Sequence, residues 1–306
     1  MTAFVSDIER PAPSAMQDQE FTAMGRPAGF GRTFVATLIG LVYFLPVIWM
    51  ILAAFKTRPD ALATPPKVFF TPTLEHFWAS FHRLSADGAR ISGTGLDRNF
   101  FNSLFISLVS VGLALALGAL AAYGFARLRL KGRDYFMFYI LVLRMVPPIT
   151  AIVPLYFLFR VTGLGGGYVA IILVYTAFNL PFAIWMLTSF LDELHRPIEE
   201  AARLDGSSDL AILWRICLPQ MRAGIAATAI IAFVFTWNDF LFSLLLTSVD
   251  TRTVPVAMTR VVGADVGVDW GVFAAIGTIY LLPVLLIAFF LQGQLLRGAT
   301  FGTVPR

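Results

Sequence analysis

Six long hydrophobic runs constrain the fold of this 306-residue chain more than any other feature of its sequence. A membrane-spanning helix needs roughly 20 predominantly apolar residues, and each run reaches that length. Only Arg144 and Asp239 interrupt the runs with a charge. One such run can be a buried helix of a soluble domain, but six in succession predict an all-α, polytopic membrane protein with six transmembrane helices. The predicted spans are 34–55, 103–126, 135–159, 168–191, 223–247 and 272–296.

The composition agrees with a lipid-facing surface. Charged residues make up 14% of the chain, against about 25% in ordinary soluble domains, and the mean hydropathy is +0.75. These values exclude a disordered chain and disfavour a soluble globular domain. The net charge is +4, which in a membrane protein is typical of basic cytoplasmic loops and not of nucleic-acid binding.

The sequence offers few residues for catalysis or metal binding. Its single cysteine, Cys217, excludes a disulfide within the chain and a cysteine-cluster metal site. His76, His82 and His195 lie outside the hydrophobic runs, in no metal-ligand or catalytic spacing. A Gly-x-x-x-x-Gly-Lys phosphate loop is also lacking. We therefore predict no catalytic residue, no metal site and no cofactor bound by this chain, and a membrane-embedded enzyme is the weakest alternative.

The distribution of basic residues predicts the orientation in the membrane. The short loop 127–134 holds four arginines and lysines, whereas the short loop 160–167 holds one. Because basic short loops face the cytoplasm, both termini are predicted to be cytoplasmic. The predicted organisation is a cytoplasmic tail at 1–33, a six-helix transmembrane domain at 34–296 and a cytoplasmic tail at 297–306.

The predicted external loop 56–102 contains an amphipathic segment. Its apolar residues follow the spacing of one helical face, and Thr73 suits the N-cap. Such a helix lies on the membrane surface or packs on the protein's own bundle; the alternative is a docking surface for an external partner. The apolar residues of this face are Leu74, Phe77, Trp78, Phe81 and Leu84.

The predicted cytoplasmic loop 192–222 has the signals of two helices joined by a sharp turn. Pro197 suits the first turn of the first helix, because its missing N–H would be unpaired there. Gly206 suits the left-handed residue that ends that helix. Ser207 or Ser208 suits the N-cap of a second helix, which Pro219 is predicted to end.

Small residues in this loop would let another surface approach its backbone closely. Ala201 and Ala202 expose almost no side chain, and the carboxylates of Glu199 and Glu200 beside them could meet basic residues on that surface. On these physical features alone, an ordinary helical loop remains the alternative.

The loop resembles the cytoplasmic motif of the membrane subunits of binding-protein-dependent ABC importers. That motif is Glu-Ala-Ala, three residues, Gly, nine residues, Ile, one residue and Leu-Pro, and every fixed position is matched here at the required spacing. The resemblance implies a type I ABC importer permease fold, in which this loop, with Glu199 and Asp205, couples the chain to an ATPase. The matching positions are Glu200, Ala201, Ala202, Gly206, Ile216, Leu218 and Pro219.

The resemblance covers about residues 34–302. The stretches 179–186, 236–241 and 295–302 are similar to the carbohydrate branch of these permeases, and most to the G-type inner-membrane subunits of maltose importers. The last four residues, 303–306, depart from the family's ending, which leaves open whether the C-terminal tail contacts the ATPase.

The resemblance implies a set of partners and a location. The chain would be one half of a pore in the bacterial or archaeal inner membrane, paired with a second permease subunit, commonly as a heterodimer. A cytoplasmic ATPase dimer would bind ATP–Mg, and an external solute-binding protein would deliver the substrate. A transport subunit of this kind has no ATPase site of its own. Closure of the ATPase dimer would pass through the coupling loop and switch the pore between inward- and outward-facing states.

Polar residues within the spans are candidates for the translocation path, because charges in the bilayer are costly. For Arg144 the alternatives are a structural role, pairing with helix carbonyls or a partner subunit, and a role in the path. On straight helices Arg144 and Asp239 differ in depth by about 10 Å, so a direct salt bridge is not favoured unless Pro147-Pro148 kinks the third span. Asn179 and Asn238 are further candidates, and Trp237 would stack on a sugar ring or anchor the helix at the interface.

The substrate class is only partly constrained by the sequence. The resemblance favours a sugar or sugar alcohol, with glycerol phosphate or another anionic solute as the alternative within the ABC class. A second function class is an ATP-independent secondary transporter. That class favours inverted repeats and broken helices, and it would leave the Glu-Ala-Ala loop unexplained.

Overall fold

A computed structural model of the protein describes residues 30–81, 83–84, 90–91, 95–128, 130–263 and 267–300. Most of the predicted N-terminal tail and the last six residues of the predicted C-terminal tail therefore lie outside the described residues. The helices in the described ranges are α1 (Phe30–Ala54), α2 (Arg58–Ala61), α3 (Glu75–Phe81), α4 (Leu96–Arg127), α5 (Arg133–Arg144), α6 (Pro148–Val161), α7 (Tyr168–Glu193), α8 (Arg196–Leu204), α9 (Asp209–Gln220), α10 (Arg222–Trp237), α11 (Leu241–Leu246), α12 (Val254–Met258) and α13 (Trp270–Thr300).

Strands contribute little to the described ranges. Two antiparallel ladders of two residues per strand lie in loops, and one 3₁₀ turn, Thr259–Val261, follows α12. The predicted all-α class is therefore confirmed for the transmembrane part of the chain. The strands are β1 (Arg83–Leu84) paired with β2 (Arg90–Ile91), and β3 (Val262–Gly263) paired with β4 (Gly267–Val268).

Four described helices are long and apolar enough to cross a membrane by themselves: α1, α4, α7 and α13. Two bent pairs pass the same test when each pair is taken as one span, so the described residues contain four to six spans. One pair is α5 with α6, and the other is α9 with α10. The predicted third span is therefore not a continuous helix, and the second bend lies just before the predicted fifth span.

The third predicted span breaks at two prolines. Helix α5 ends at Arg144, α6 begins at Pro148, and their axes differ by 84°. Pro147 has an extended backbone, because a following proline disfavours the helical conformation of the residue before it. Pro148 then occupies the first turn of α6, where its missing N–H is tolerated. The break places Arg144 at a helix end instead of in the middle of a span.

The fifth predicted span breaks at an aspartate. Helix α10 ends at Trp237, and the short helix α11 begins at Leu241. The carboxylate of Asp239 accepts a hydrogen bond from the backbone N–H of Phe242 at 3.0 Å. A side-chain bond of this kind caps a new helix and competes with continuation of the old one.

Helices α4 and α7 form the centre of the packing. Small residues line this contact, as is usual where helices approach closely in a membrane. A Cβ added at Gly118 of α4 would lie 2.9 Å from the Cβ of Ala183 in α7, so the close approach requires a glycine. Buried residues on the α4 side are Ala114, Ala119, Ala122 and Ala126.

Helix α3 in the predicted external loop packs on the bundle through only one described residue of its predicted apolar face, Phe77, which lies against α13. Thr73 caps it as predicted, because its Oγ1 accepts from the N–H of Glu75 at 3.2 Å. Its most buried residues are His76 and Ser80, whereas Leu74 and Trp78 are exposed. The imidazole of His76 occupies the space beside Gly271 where a Cβ would otherwise project, which draws this side of the helix inward. The side chain of Leu84 lies outside the described residues.

Candidate coupling hairpin and polar residues of the spans

Helices α8 and α9 form a hairpin that matches the predicted helix–turn–helix. Gly206 between them has φ +84°, in the left-handed region that favours glycine. Its N–H donates to the carbonyl of Arg203, and the N–H of Ser207 donates to the carbonyl of Ala202, both at 3.0 Å. These two bonds satisfy carbonyls at the end of α8 in the pattern of a Schellman motif. The predicted glycine turn is therefore confirmed.

The predicted start of α9 is confirmed, and the helix ends at Gln220, one residue after the predicted end at Pro219. The Oγ of Ser208 accepts from the N–H of Ala211 at 3.3 Å and caps the helix. The helix then continues through a π-turn, Leu213–Cys217, and includes Pro219. The π-turn changes the register of the backbone hydrogen bonds ahead of Pro219, which supplies no N–H. The direction of the chain changes only at Met221, where α9 and α10 meet at 81°.

The inner face of the hairpin packs into a hydrophobic cluster with α4 and α7. Ile212, Leu213 and Cys217 of α9 are fully buried there. Motif residues Ala202, Ile216 and Leu218 are partly buried around the same cluster. The cluster residues from α4 and α7 are Ala119, Ala122, Tyr123, Ala126, Leu187 and Leu191.

A buried ion pair also attaches the hairpin. The guanidinium of Arg127, the last residue of α4, donates to the carboxylate of Glu199 in α8 through Nε (2.9 and 2.8 Å) and Nη2 (2.6 Å). Both side chains are only 3% exposed. The same Nη2 donates to the carbonyl of Leu191 in the last turn of α7 at 2.6 Å. Arg127 therefore bonds to the first part of α8 and to the last turn of α7.

This ion pair corrects one expectation for the motif region. Both Glu199 and Glu200 were candidates to face a partner, but the carboxylate of Glu199 is directed inward to Arg127. Glu200 is exposed. The sequence carries no signal for the pairing, because Arg127 and Glu199 are separated by 72 positions.

A second, more exposed set of polar contacts joins the two helices of the hairpin. Arg203 in α8 donates to Oδ1 of Asp209 in α9 at 2.9 Å and to the hydroxyl of Tyr123 in α4 at 3.1 Å. The hydrogen bond to Asp209 raises the pKa of the Arg203 guanidinium. Both members of this pair are about half exposed, so it contributes little to stability.

The outer face of the hairpin combines motif residues with large exposed apolar side chains. Leu204 is 90% exposed, Leu210 61% and Trp214 56%. We name this set the outer face; its members are Glu200, Ala201, Leu204, Leu210 and Trp214. Sequence reasoning identified the first two and missed the other three, although apolar side chains in an otherwise polar loop were a usable signal. Asp205, Gly206 and Pro219 are also exposed.

The candidate path residues lie where α7 and α10 pack together. Asn179 is buried, and its Nδ2 donates to the carbonyl of Tyr175 at 2.9 Å and to Oγ1 of Thr236 at 2.8 Å. Its Oδ1 has no hydrogen-bond partner among the described residues. The hydroxyl of Tyr175 donates to Oδ1 of Asp239 at 2.8 Å, at the break between α10 and α11.

Trp237 and Asn238 contribute to the structure in different ways. The Trp237 ring is buried and stacks between Phe233 and Tyr280, with ring centroids 5.3 and 4.8 Å away. Its Nε1 donates to the carbonyl of Tyr280 at 3.3 Å. In this conformation the ring is enclosed and cannot stack on a sugar. The Asn238 side chain is exposed and donates to the carbonyl of Val234 at 2.8 Å.

Arg144 connects the break in the third span to both packed helices. Its Nη1 donates to the carbonyl of Phe178 in α7 at 3.0 Å, and its guanidinium lies 4.7 Å from the ring centroid of Phe235 in α10. Among the described residues it forms no ion pair with Asp239, even though the span is kinked. The pairing with a helix carbonyl agrees with the structural alternative for Arg144, and the residue that supplies this carbonyl, Phe178, directly precedes Asn179 on α7.

The buried contacts at the opposite end of α4 are uncharged hydrogen bonds, and the ion pair there, Arg98–Asp250, is exposed. Asn102 is buried, and its Nδ2 donates to the carbonyls of Asp250 and Arg252 at 2.9 and 3.0 Å. Its Oδ1 accepts from the hydroxyl of Tyr168 at 2.7 Å. The neighbouring Ser103 accepts from the N–H of Val254 at 2.9 Å. These bonds fix the loop between α11 and α12 to the start of α4.

These features define a class of protein: a helical membrane protein whose spans have broken helices with polar residues and whose central pair of helices carries an anchored hairpin at one end. Residues 114–300 match the family described as the binding-protein-dependent transport system inner membrane component. The chain belongs to this family. It is therefore a multi-pass inner-membrane permease subunit of an ABC importer and not an enzyme.

Individual relatives agree with this assignment. The chain is 35% identical to a probable ABC transporter permease protein of Sinorhizobium fredii over 87% of this chain and 92% of the relative. It is 30% identical to the trehalose/maltose transport system permease protein MalG of Thermococcus litoralis over 88% and 94%.

A solved structure shows the same fold. This is a crystal structure of a bacterial ABC transporter involved in the import of the acidic polysaccharide alginate. It matches 95% of this chain and 99% of its own chain with a TM-score of 0.69, at 20% sequence identity. The predicted type I ABC importer permease fold is confirmed.

Proposed function

We propose that this chain forms half of the pore of an ATP-driven importer for a sugar or sugar alcohol, and that the hairpin of α8 and α9 couples it to the ATPase. The observation that carries the coupling role is the contrast between the two faces of the hairpin. The inner face is anchored to α4 and α7, whereas the outer face presents Leu204, Leu210 and Trp214 to solvent beside Glu200 and Ala201. An exposed apolar patch with a charged neighbour is typical of a protein–protein contact.

The proposed assembly has four further components. A second permease subunit completes the pore as a heterodimer, and the lipid bilayer surrounds both. A cytoplasmic ATPase dimer binds ATP–Mg and receives the outer face. An external solute-binding protein delivers the substrate. The assembly then alternates between two states, biased by the binding protein on one side and by the nucleotide on the other.

The proposed substrate class rests on the names of relatives and on the polar residues of the spans. The archaeal relative transports trehalose and maltose by its name. Asn179 offers a buried acceptor without a partner among the described residues, and Asn238 is exposed; amides of this kind suit sugar hydroxyls. The second candidate is an anionic solute, favoured by the guanidinium of Arg144 and by the alginate importer with the same fold.

Co-purification tests the assembly. The chain is tagged, extracted gently from native membranes and purified, and its companions are identified. We expect a second six-span permease, an ATPase and an external binding protein, whose bound ligand is then identified by mass spectrometry. A neutral sugar or polyol supports the first substrate class, and a charged ligand supports the second. Purification of the chain alone, with ATP-independent transport in liposomes, contradicts the proposal and favours a secondary transporter.

Replacement of Gly206 tests the coupling role. Gly206→Val is expected to abolish uptake while the spans still insert, because a β-branched residue is strongly disfavoured at φ +84°. No neighbouring atom lies within 4 Å of an added Cβ, so the effect comes from the backbone and not from a clash. Gly206→Asn is the matched control, because asparagine tolerates this conformation best among the other residues. Normal uptake by the valine variant contradicts the coupling role.

A further inference from the structure

Arg127 bonds to more groups than the single counter-ion that its buried charge requires. Its guanidinium bonds to Glu199 in α8 and to the carbonyl of Leu191 in α7, and its own backbone ends α4. The end of α4 and the junction between α7 and α8, which are distant in the sequence, therefore meet at one side chain. The geometry is a fork, in which two nitrogens of a rigid, planar group bond to one carboxylate.

Part of the outer face lies on the same short helix, α8, as the carboxylate of this ion pair. Glu200 faces solvent, and the preceding residue, Glu199, is directed into the bundle. A force applied to the outer face of α8 is therefore transmitted directly to a buried, charged contact. The alternative route through the apolar cluster depends on non-directional contacts, which resist sliding less than a bidentate ion pair does.

We propose that Arg127 and Glu199 are positioning residues for coupling: their ion pair makes the hairpin, the end of α4 and the end of α7 move as one rigid body. This inference rests on the proposed function, since it concerns how a movement of the ATPase enters the spans. Glu200 contacts the partner, and Glu199 transmits the displacement to α4 and α7. Two adjacent carboxylates thus have opposite tasks.

The test measures distances between spin labels in the complex purified with its own ATPase. Labels are placed on Ile198→Cys in the hairpin, which is not part of the outer face, and Leu120→Cys in α4, both exposed positions, in a Cys217→Ala background. Spectra are recorded without nucleotide and with ATP, Mg²⁺ and vanadate. In the otherwise unaltered chain we expect one narrow distance distribution that is the same in both conditions. A shift of this distance with nucleotide overturns the inference without any further variant.

Arg127→Lys is the decisive substitution. Lysine keeps the charge but lacks the planar fork that reaches Glu199 and Leu191 together. We expect the narrow distance distribution to be lost in this variant, while the ATPase still co-purifies and still hydrolyses ATP. The ratio of solute imported to ATP hydrolysed, measured with the solute found in the co-purified binding protein, should fall by about tenfold.

The matched control is Arg98→Lys, the same substitution at the other end of α4. Arg98 pairs with Asp250 at 2.9 Å, and both side chains are largely exposed. We expect this control to keep the distance distribution and the transport ratio of the unaltered chain.

Unchanged distances and an unchanged transport ratio in Arg127→Lys overturn the inference, but they do not contradict the proposed coupling role of the hairpin. Absence of any ATPase from the unaltered complex contradicts the proposed function itself. If the Arg127→Lys variant does not assemble with the ATPase, the inference is tested by the label distance in the unaltered chain alone. A distance that shifts with nucleotide overturns the inference, and a distance that stays the same supports it.

Discussion

The two ends of α4 are held by different chemistry. At one end, Asn102 and Ser103 bind backbone groups of the loop after α11 through neutral amide and hydroxyl bonds. At the other end, Arg127 binds Glu199 and Leu191 through charged bonds. A neutral hydrogen bond contributes about 0.5–1.5 kcal/mol and its loss is local, whereas an unpaired buried charge is strongly destabilising. Loss of one contact should therefore destabilise the chain most at the end of α4 that is attached to the hairpin.

The largest effect is expected at the charged end. Glu199→Ala leaves the Arg127 guanidinium buried without its counter-ion, which should destabilise the chain by about 3–5 kcal/mol. The measurement is thermal unfolding of the purified chain in detergent. The comparison variant replaces both partners, Arg127→Met with Glu199→Leu, and should recover most of the loss because no charge remains buried. Equal instability of the single and double variants would show that packing, and not charge, dominates at this end.

An intermediate effect is expected at the neutral end. Asn102→Ala removes an amide that serves the carbonyls of Asp250 and Arg252 and the hydroxyl of Tyr168, at a cost of about 1–3 kcal/mol. Proteolysis of the loop between α11 and α12 should become faster in this variant. Tyr168→Phe removes only one of the three bonds and serves as the graded control. A loss as large as that of Glu199→Ala would remove the difference between the two ends.

The smallest effect is expected from the exposed pair Arg98–Asp250. Its side chains are 59% and 71% exposed, so solvent screens it and it contributes about 0–1 kcal/mol. Arg98→Gln should unfold at nearly the same temperature as the unaltered chain, and the small difference should vanish in high salt. A loss of thermal stability that does not depend on salt would mean that Arg98 stabilises the chain through packing of its aliphatic part and not through its charge.

The sequence predicts the helices, the hairpin and its turn because these depend on local signals. Hydrophobic length marks α1, α4, α7 and α13, and Gly206 and Ser208 mark the ends of α8 and α9 through their own backbone bonds. Local rules fail where two signals compete. The run through Pro147 is apolar enough to span a membrane, yet the two prolines break the helix there.

The remaining errors arise from contacts between distant residues. The inward direction of Glu199 depends on Arg127, 72 positions away, and the inward direction of α3 depends on the space that Gly271 leaves for His76. The π-turn Leu213–Cys217 within α9 is also not predicted by any simple residue pattern. Among the candidate path residues, the sequence identified the polar positions but not that Trp237 is enclosed by Phe233 and Tyr280.

The buried thiol of Cys217 makes it possible to measure, in the native chain, how often the hairpin separates from the bundle. The side chain is fully buried in the contact of α9 with α4 and α7, and burial raises its pKa to about 12. Because the sulfur is fully buried, a maleimide reaches it only when α9 separates from the bundle. The rate at which the unmodified protein is alkylated therefore reports how often the hairpin detaches, and comparison of that rate with and without ATP shows whether the transport cycle ever passes through the detached state.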